Sequence, residues 1–118
     1  TAHGVYVVRQ PKIDTARLKA IRALTPVHLV LHGGSGVPPE MVADSVRVGI
    51  SKVNFATDLE IALLAALNRG ENRLSNAECK ALPADQLAIA RAAVEATVID
   101  KISHYVRSAG KAPEFLKG

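Results

Sequence analysis

Cysteine occurs once in the 118 residues, at Cys79, which excludes an internal disulfide and any cysteine-based zinc site. Tryptophan is absent, and Tyr6, Phe55, Tyr105 and Phe115 are the whole aromatic complement. Lysine and arginine form no run, so a nucleic-acid surface of stacking rings and basic stripes is not expected. No apolar run approaches the roughly 20 residues that a membrane span requires, and no charged-then-apolar leader opens the chain. A cytoplasmic protein with neither a nucleic-acid nor a membrane partner is expected. Methionine is missing from the first position, where Thr1 stands, and the chain reads as a piece of a longer protein. At 48% hydrophobic content it can build one core, so residues 1–118 are expected to form a single, partial domain. Fifteen lysines and arginines against eleven aspartates and glutamates give a modest basic excess, which suits an anionic small molecule.

The chain is organised around Leu29-Val30-Leu31-His32-Gly33-Gly34-Ser35-Gly36. Val27 to Leu31 is short, apolar and rich in β-branched residues, the pattern of a parallel strand buried on both faces. His32 falls at its carboxyl end. Gly33, Gly34 and Gly36 then free the backbone for tight conformations and let main-chain N–H groups approach an anion. Pro38 and Pro39 start a helix whose amino end carries partial positive charge. The combination is a metal-capable imidazole beside a phosphate cradle.

Upstream, Asp14 is placed to cap a helix, with Ile13 and Leu18 as a hydrophobic staple. Leu18, Ile21 and either Arg22 or Thr25 mark its face, and Pro26 ends it. Downstream, Pro39 to Val48 predicts a helix buried through Val42 and Val46 and closed by Gly49, followed by a strand over Ser51 to Phe55. Thr57-Asp58-Leu59-Glu60 has capping-box spacing and opens a helix to about Asn68. Such a strand–helix–strand–helix order predicts parallel strands with a right-handed crossover. Gly70 to Leu82 reads as loop with a helical turn. Pro83 starts a long helix whose apolar face is Leu87, Ala90, Val94, Val98, Ile102 and Val106, ended by Gly110, and a loosely held tail follows from Lys111.

Five blocks now stand in order: Thr-Ala-His-Gly-Val-Tyr, Pro-Lys-Ile-Asp, Leu-Val-Leu-His-Gly-Gly-Ser-Gly-Val-Pro, Lys-Val-Asn-Phe-Ala-Thr-Asp and Ser-Ala-Gly-Lys-Ala. In order and spacing, from Thr1 to Ala112, they resemble the class II, zinc-dependent ketose-bisphosphate aldolases. The resemblance implies an α/β fold, the carboxyl-terminal portion of a (β/α)₈ TIM barrel comprising the end of strand 6, strands 7 and 8 and the terminal helices. Barrel sites lie at the carboxyl ends of strands, with phosphate often held after strands 7 and 8.

The implied reaction is cleavage of fructose or tagatose 1,6-bisphosphate to dihydroxyacetone phosphate and glyceraldehyde 3-phosphate, or the reverse condensation. The implied cofactors are Zn2+ and a monovalent cation, Na+ or K+. By resemblance His3 and His32 match two of three zinc ligands, and Gly4, Gly33, Gly34 and Ser35 match the loops holding a phosphate and the monovalent cation. Asn54 matches the contact to the dihydroxyacetone moiety, Ala56 and Thr57 match the second phosphate loop, and Arg91 matches an arginine that reaches the distal phosphate. The Asn-x-Ala-Thr form resembles the tagatose-type subgroup. Relatives carry lysine after the His-Gly-x-Tyr block, whereas here Val7 and Val8 follow and Arg9 is the nearest cation. The first zinc histidine and the acid–base aspartate belong, by the same resemblance, to a part of the barrel before Thr1. The chain alone is expected to be inactive, and the complete protein to be a homodimer or homotetramer.

Other readings of the same residues stand beside these. His32 at a strand end also suits a hydrogen-bonded structural role. Thr57 suits a helix cap, Asn54 a backbone-satisfying strand end, and Arg91 a solvated helix face. His28 shares strand parity with His32 but lies about 13 Å away, at the opposite end of the strand, and reads as structural. His-Gly-Gly-x-Gly also resembles a lipase oxyanion loop, but no Gly-x-Ser-x-Gly accompanies it. A non-catalytic phosphosugar-binding barrel would share the cradle.

Overall fold

The computed structural model describes residues 11–111. The expectations for His3, Gly4 and Arg9, and for the tail from Ala112 onward, lie outside the described residues. The elements are α1 (Thr15–Leu24), β1 (Leu29–Leu31), α2 (Pro39–Arg47), β2 (Ile50–Val53), α3 (Thr57–Ala66), α4 (Asn76–Lys80) and α5 (Ala84–Asp100), with α5 passing directly into a π-helical turn (Lys101–Tyr105).

Asp14 caps α1 as its spacing predicts, its carboxylate accepting the Arg17 amide at 2.9 Å. Gly49 closes α2 with φ +121°, a conformation L side chains rarely adopt, and the stem of Arg22 packs where a Cβ would stand. Together these turns deliver β1 and β2 side by side. The two strands pair in parallel, Leu29 opposite Ile50 and Leu31 opposite Val53, with an irregularity between Leu29 and Val30. Among the described residues the core holds Val37, Val42, Ala43, Ile50, Leu64 and Ala90, and α3 packs along α5. Ser45, fully buried beside them, satisfies its hydroxyl by donating to the Val42 carbonyl at 2.7 Å.

Four expectations are corrected. The first strand begins at Leu29, two residues later than its apolar pattern suggests, and Val30 is 43% exposed. Burial on both faces needs helices and neighbouring strands on each side, and β2 is the only strand paired with β1 among the described residues. On α2, Val42 is buried but Val46 is only half-buried, Ala43 and Ser45 sharing the inner face instead.

Thr57 is the first residue of α3 rather than its cap: Ala56 holds the cap position and no side chain of that segment caps the helix. The capping box lies elsewhere, in the stretch read as mostly loop. Ser75 caps α4 and Glu78 returns the bond. The Ser75 backbone and hydroxyl, with Arg69, hold the Glu78 carboxyl below its ordinary value.

The long helix also departs from its predicted face. Leu87, Ala90 and Val94 turn inward, but Val98 and Ile102 are more than a third exposed, and Thr97 and Lys101 take the inner positions instead. The π turn after Asp100 redirects the last residues, and Arg107 there pairs with Glu40 at the start of α2.

Candidate functional site

The site grows from the ladder between the two strands, which continues past their ends. The Asn54 amide donates to the Leu31 carbonyl at 3.0 Å, and the Gly34 amide donates to the Asn54 carbonyl at 2.8 Å. Both backbone groups of Asn54 are thereby held by the segment that leaves β1. Its side chain is carried to His32, with Asn54 Nδ2 3.1 Å from His32 Nδ1. An amide nitrogen only donates, so in this arrangement Nδ1 accepts and the ring proton sits on Nε2. Turning the amide over makes Nδ1–H the donor to Oδ1.

The glycine loop closes onto this ladder. Gly33 and Gly36 have φ of +70° and +74°, the left-handed region that favours glycine. Gly34 is there for another reason. A Cβ on it would stand 2.7 Å from Val53 Cγ1, 2.9 Å from Phe55 Cε1 and 3.0 Å from the Asn54 carbonyl oxygen, so the loop lies directly on the end of β2.

Ser35, 8% exposed, is placed by that contact against the amino end of α3. Its Oγ accepts the amides of Ala56 at 3.3 Å and Asp58 at 3.2 Å. A serine twenty-one residues upstream thus caps α3 across the loop, a long-range counterpart of an ordinary N-cap. With both lone pairs engaged, the Ser35 O–H is left as a donor. Among the described residues the amides of Ser35 and Thr57 have no hydrogen-bond acceptor, and Thr57 is the first residue of a helix whose amino end carries partial positive charge. Ser35→Ala is expected to cost about 1–2 kcal/mol by stranding two amides, read as a lower denaturant midpoint of the full-length protein with unchanged slope.

His32, Gly33, Gly34, Ser35, Asn54, Ala56 and Thr57 therefore converge at the carboxyl ends of β1 and β2 and the amino end of α3. Arg91 stands apart, exposed on α5 and joined to none of them by a hydrogen bond or ion pair. His28, just before β1, lies with its Nδ1 3.1 Å from Ser51 Oγ, at the opposite end of the strand pair from His32.

Two residues that sequence reasoning passed over adjoin the site. Asp58 follows Thr57 in α3, and its carboxylate pairs with Lys101 Nζ at 2.7 Å. Lys101 is 8% exposed and lies 3.6 Å above the Tyr105 ring and 5.5 Å from the centroid of Phe55. Phe55 and Tyr105 meet edge to face at 5.6 Å, joining the segment after β2 to the π turn. Burial disfavours the charged form of Lys101, but its contacts with Asp58 and Tyr105 outweigh that and raise its pKa above the ordinary lysine value. One signal for this was available: Lys101 continues the Leu87, Ala90, Val94, Thr97 spacing.

As a metal centre the described residues are incomplete. No group of three histidine, cysteine, aspartate or glutamate side chains comes together among them. His32 fits one ligand position of a zinc site that takes three protein ligands, through Nε2, in the arrangement where Nδ1–H donates to Asn54 Oδ1, which makes Asn54 its orienting partner.

Residues 1–111 match the family model described as fructose-bisphosphate aldolase class-II. Among solved structures the chain is similar to the YdjI aldolase from Escherichia coli K12, at 29% identity and a TM-score of 0.70. The match covers 86% of this chain and 36% of that one, so the chain spans little more than a third of that relative. No helix among the described residues is long and apolar enough to cross a membrane. With the loop and ladder geometry above and a family match running over nearly its whole length, the chain belongs to the class II fructose-bisphosphate aldolase family.

Proposed function

We propose that the full-length protein carrying this chain performs zinc-dependent aldol cleavage and condensation of a ketose 1,6-bisphosphate, fructose or tagatose, and that this chain supplies the phosphate-holding side of the site. The observation that carries the reading is the meeting of the glycine loop with the amino end of α3 through Ser35, next to the His32–Asn54 pair. The amino end of a helix, whose first amides lack intrahelical partners, is a ready anion-binding site. The amides of Ser35 and Thr57 and the Ser35 O–H take the phosphate of the dihydroxyacetone phosphate half. Gly33, Gly34 and Ala56 contribute main chain without side-chain bulk, Gly4 belongs to the same cradle, and a monovalent cation shares it. Asn54 orients the ketone end of the substrate through its side-chain amide.

His32 and His3 serve as two of the metal's three protein ligands. A bound Zn2+ supplies electrophilic stabilisation of the negative charge left on the ketone half when the carbon–carbon bond breaks. The proton that leaves the aldehyde-side hydroxyl goes to an acid–base aspartate that the family resemblance puts elsewhere in the full-length barrel, and a proton is returned to the carbon left negative on the ketone half. Arg91 takes the distal phosphate from a neighbouring subunit of a dimer or tetramer, and the enzyme works in the cytoplasm.

The test is retro-aldol cleavage of fructose and tagatose 1,6-bisphosphates by the full-length protein, with zinc content measured in parallel. Cleavage of one sugar by zinc-loaded protein, lost on chelation, is the expected result. Binding of phosphosugar with neither zinc nor cleavage would make the protein a non-catalytic phosphosugar-binding barrel. Residues 1–118 alone are expected to cleave neither sugar. They are also expected to associate or to unfold without a cooperative transition, because α1 and β1 expose Ile21, Leu24 and Val30 and the sheet has only two strands among the described residues. A sharp unfolding transition of monomeric chain would contradict this.

A further inference from the structure

The inner positions of α5 run Leu87, Ala90, Val94 and Thr97, and the next seat of that spacing is held by Lys101 rather than by an apolar side chain. Packing alone does not explain a lysine there. A buried ion pair is often no more stabilising than well-packed hydrophobic residues of similar volume. What the ammonium does that methionine would not is stand as a cation over the Tyr105 ring, at 3.6 Å, and meet Asp58, at 2.7 Å, with Asp100 further away at 3.7 Å.

Asp58 lies in the first turn of α3, and its own amide is held on Ser35 Oγ. A bare carboxylate there would stand within one turn of the helix end that is to receive a phosphate dianion, and would repel it. The first turn of α3 holds one other acid, Glu60, and that carboxylate is paired as well, with Arg73 at 2.8 Å. Both acidic side chains of this helix end are thus matched by a cation from elsewhere in the chain.

We propose that Lys101 is a positioning residue acting through Asp58: it cancels the carboxylate's charge at the amino end of α3 and so keeps that end attractive to the substrate phosphate. This rests on the aldolase reading for the identity of the phosphate ligand. Its own content is the sign of the charge effect, which a purely mechanical tether between α3 and the π turn would not reproduce.

The test measures binding of inorganic phosphate and of dihydroxyacetone phosphate to the full-length protein at pH 8 by titration calorimetry, with cleavage kinetics alongside. Lys101→Met is expected to weaken both ligands by about tenfold, the Coulomb effect of one uncompensated charge near a dianion in a largely aqueous setting, and to raise KM while kcat holds. Asp58→Asn alone is expected to bind phosphate at least as tightly as the unaltered protein, and Lys101→Met/Asp58→Asn to recover the affinity that Lys101→Met loses. Weakened binding in Asp58→Asn and in the double variant, or unchanged binding in Lys101→Met, overturns the proposal. If Lys101→Met does not fold, the direction of the Asp58→Asn change decides alone. Phosphate binding without cleavage in the unaltered protein would contradict the aldolase reading while the same variants still support or overturn the role of Lys101. Failure of the unaltered protein to bind either ligand overturns both.

Discussion

Gly34→Ala is expected to lower the stability of the full-length protein by about 3 kcal/mol and its aldol cleavage by about a hundredfold. The backbone of Gly34 is not in the left-handed region, so the effect is one of space. The new methyl carbon meets Val53 Cγ1 at 2.7 Å and the Asn54 carbonyl oxygen at 3.0 Å, closer than such contacts tolerate. Val53 lies in β2 and the carbonyl is backbone, so neither neighbour swings away cheaply. The loop must lift, and the Gly34 amide then leaves the Asn54 carbonyl it now meets at 2.8 Å. Overpacking costs about 1–3 kcal/mol and the lost hydrogen bond about 1 kcal/mol more.

The catalytic loss follows from the same displacement. Asn54 is held by that bond and reaches His32, while Ser35 follows Gly34 and reaches α3, so one lifted loop disturbs both halves of the site. Gly70→Ala is the control, because Gly70 has φ +59° and open space around it. It isolates the cost of a positive φ, and cleavage should survive it. Urea unfolding and cleavage rates of the two variants, side by side, make the comparison. Wild-type cleavage by Gly34→Ala would refute the close packing of loop on strand.

Lys101→Met is expected to destabilise the full-length protein by about 3 kcal/mol, while Lys101→Met/Asp58→Asn should lie much closer to the unaltered protein. Removing one member of a largely buried pair strands the other, whereas replacing both by neutral groups removes the stranded charge as well. The low end of the range for buried pairs applies because the Asp58 side chain is 20% exposed.

The pH dependence has a fixed sign. Lys101 titrates higher in the folded protein than in the unfolded chain, so its stabilisation is fully present below the ordinary lysine value of about 10.4 and is lost as pH rises through the raised value. The gap in urea midpoint between the unaltered protein and Lys101→Met should therefore be constant from pH 7 to 9 and shrink in strongly alkaline solution. A gap that widened with alkalinity would contradict the pairing.

Much of this arrangement was legible from local patterns. The Asp14 cap, the Pro39 start and Gly49 end of α2, and the parallel pairing of two short apolar runs each rest on residues close in sequence. The His32 to Gly36 stretch stood out because imidazole, strand end and glycines occur within eight residues. What escaped depends on residues far apart. The cap of α3 is Ser35, which adjacent-residue patterns do not reveal, so Thr57 took that role on spacing alone. The burial of Lys101 requires Asp58, forty-three residues earlier, to compensate the charge, and apolar periodicity instead favours Val98 and Ile102 for the inner face. The exposed Val30 has the opposite origin: its pattern is that of a covered strand, and the described residues supply only one neighbour.

The most direct test compares the full-length protein with its His32→Ala variant for bound zinc and for cleavage of fructose and tagatose 1,6-bisphosphates. Loss of both zinc and cleavage in His32→Ala, with the overall fold retained, is the predicted result. Full zinc content and undiminished cleavage without the His32 imidazole would contradict the placement of the reaction at the carboxyl end of β1.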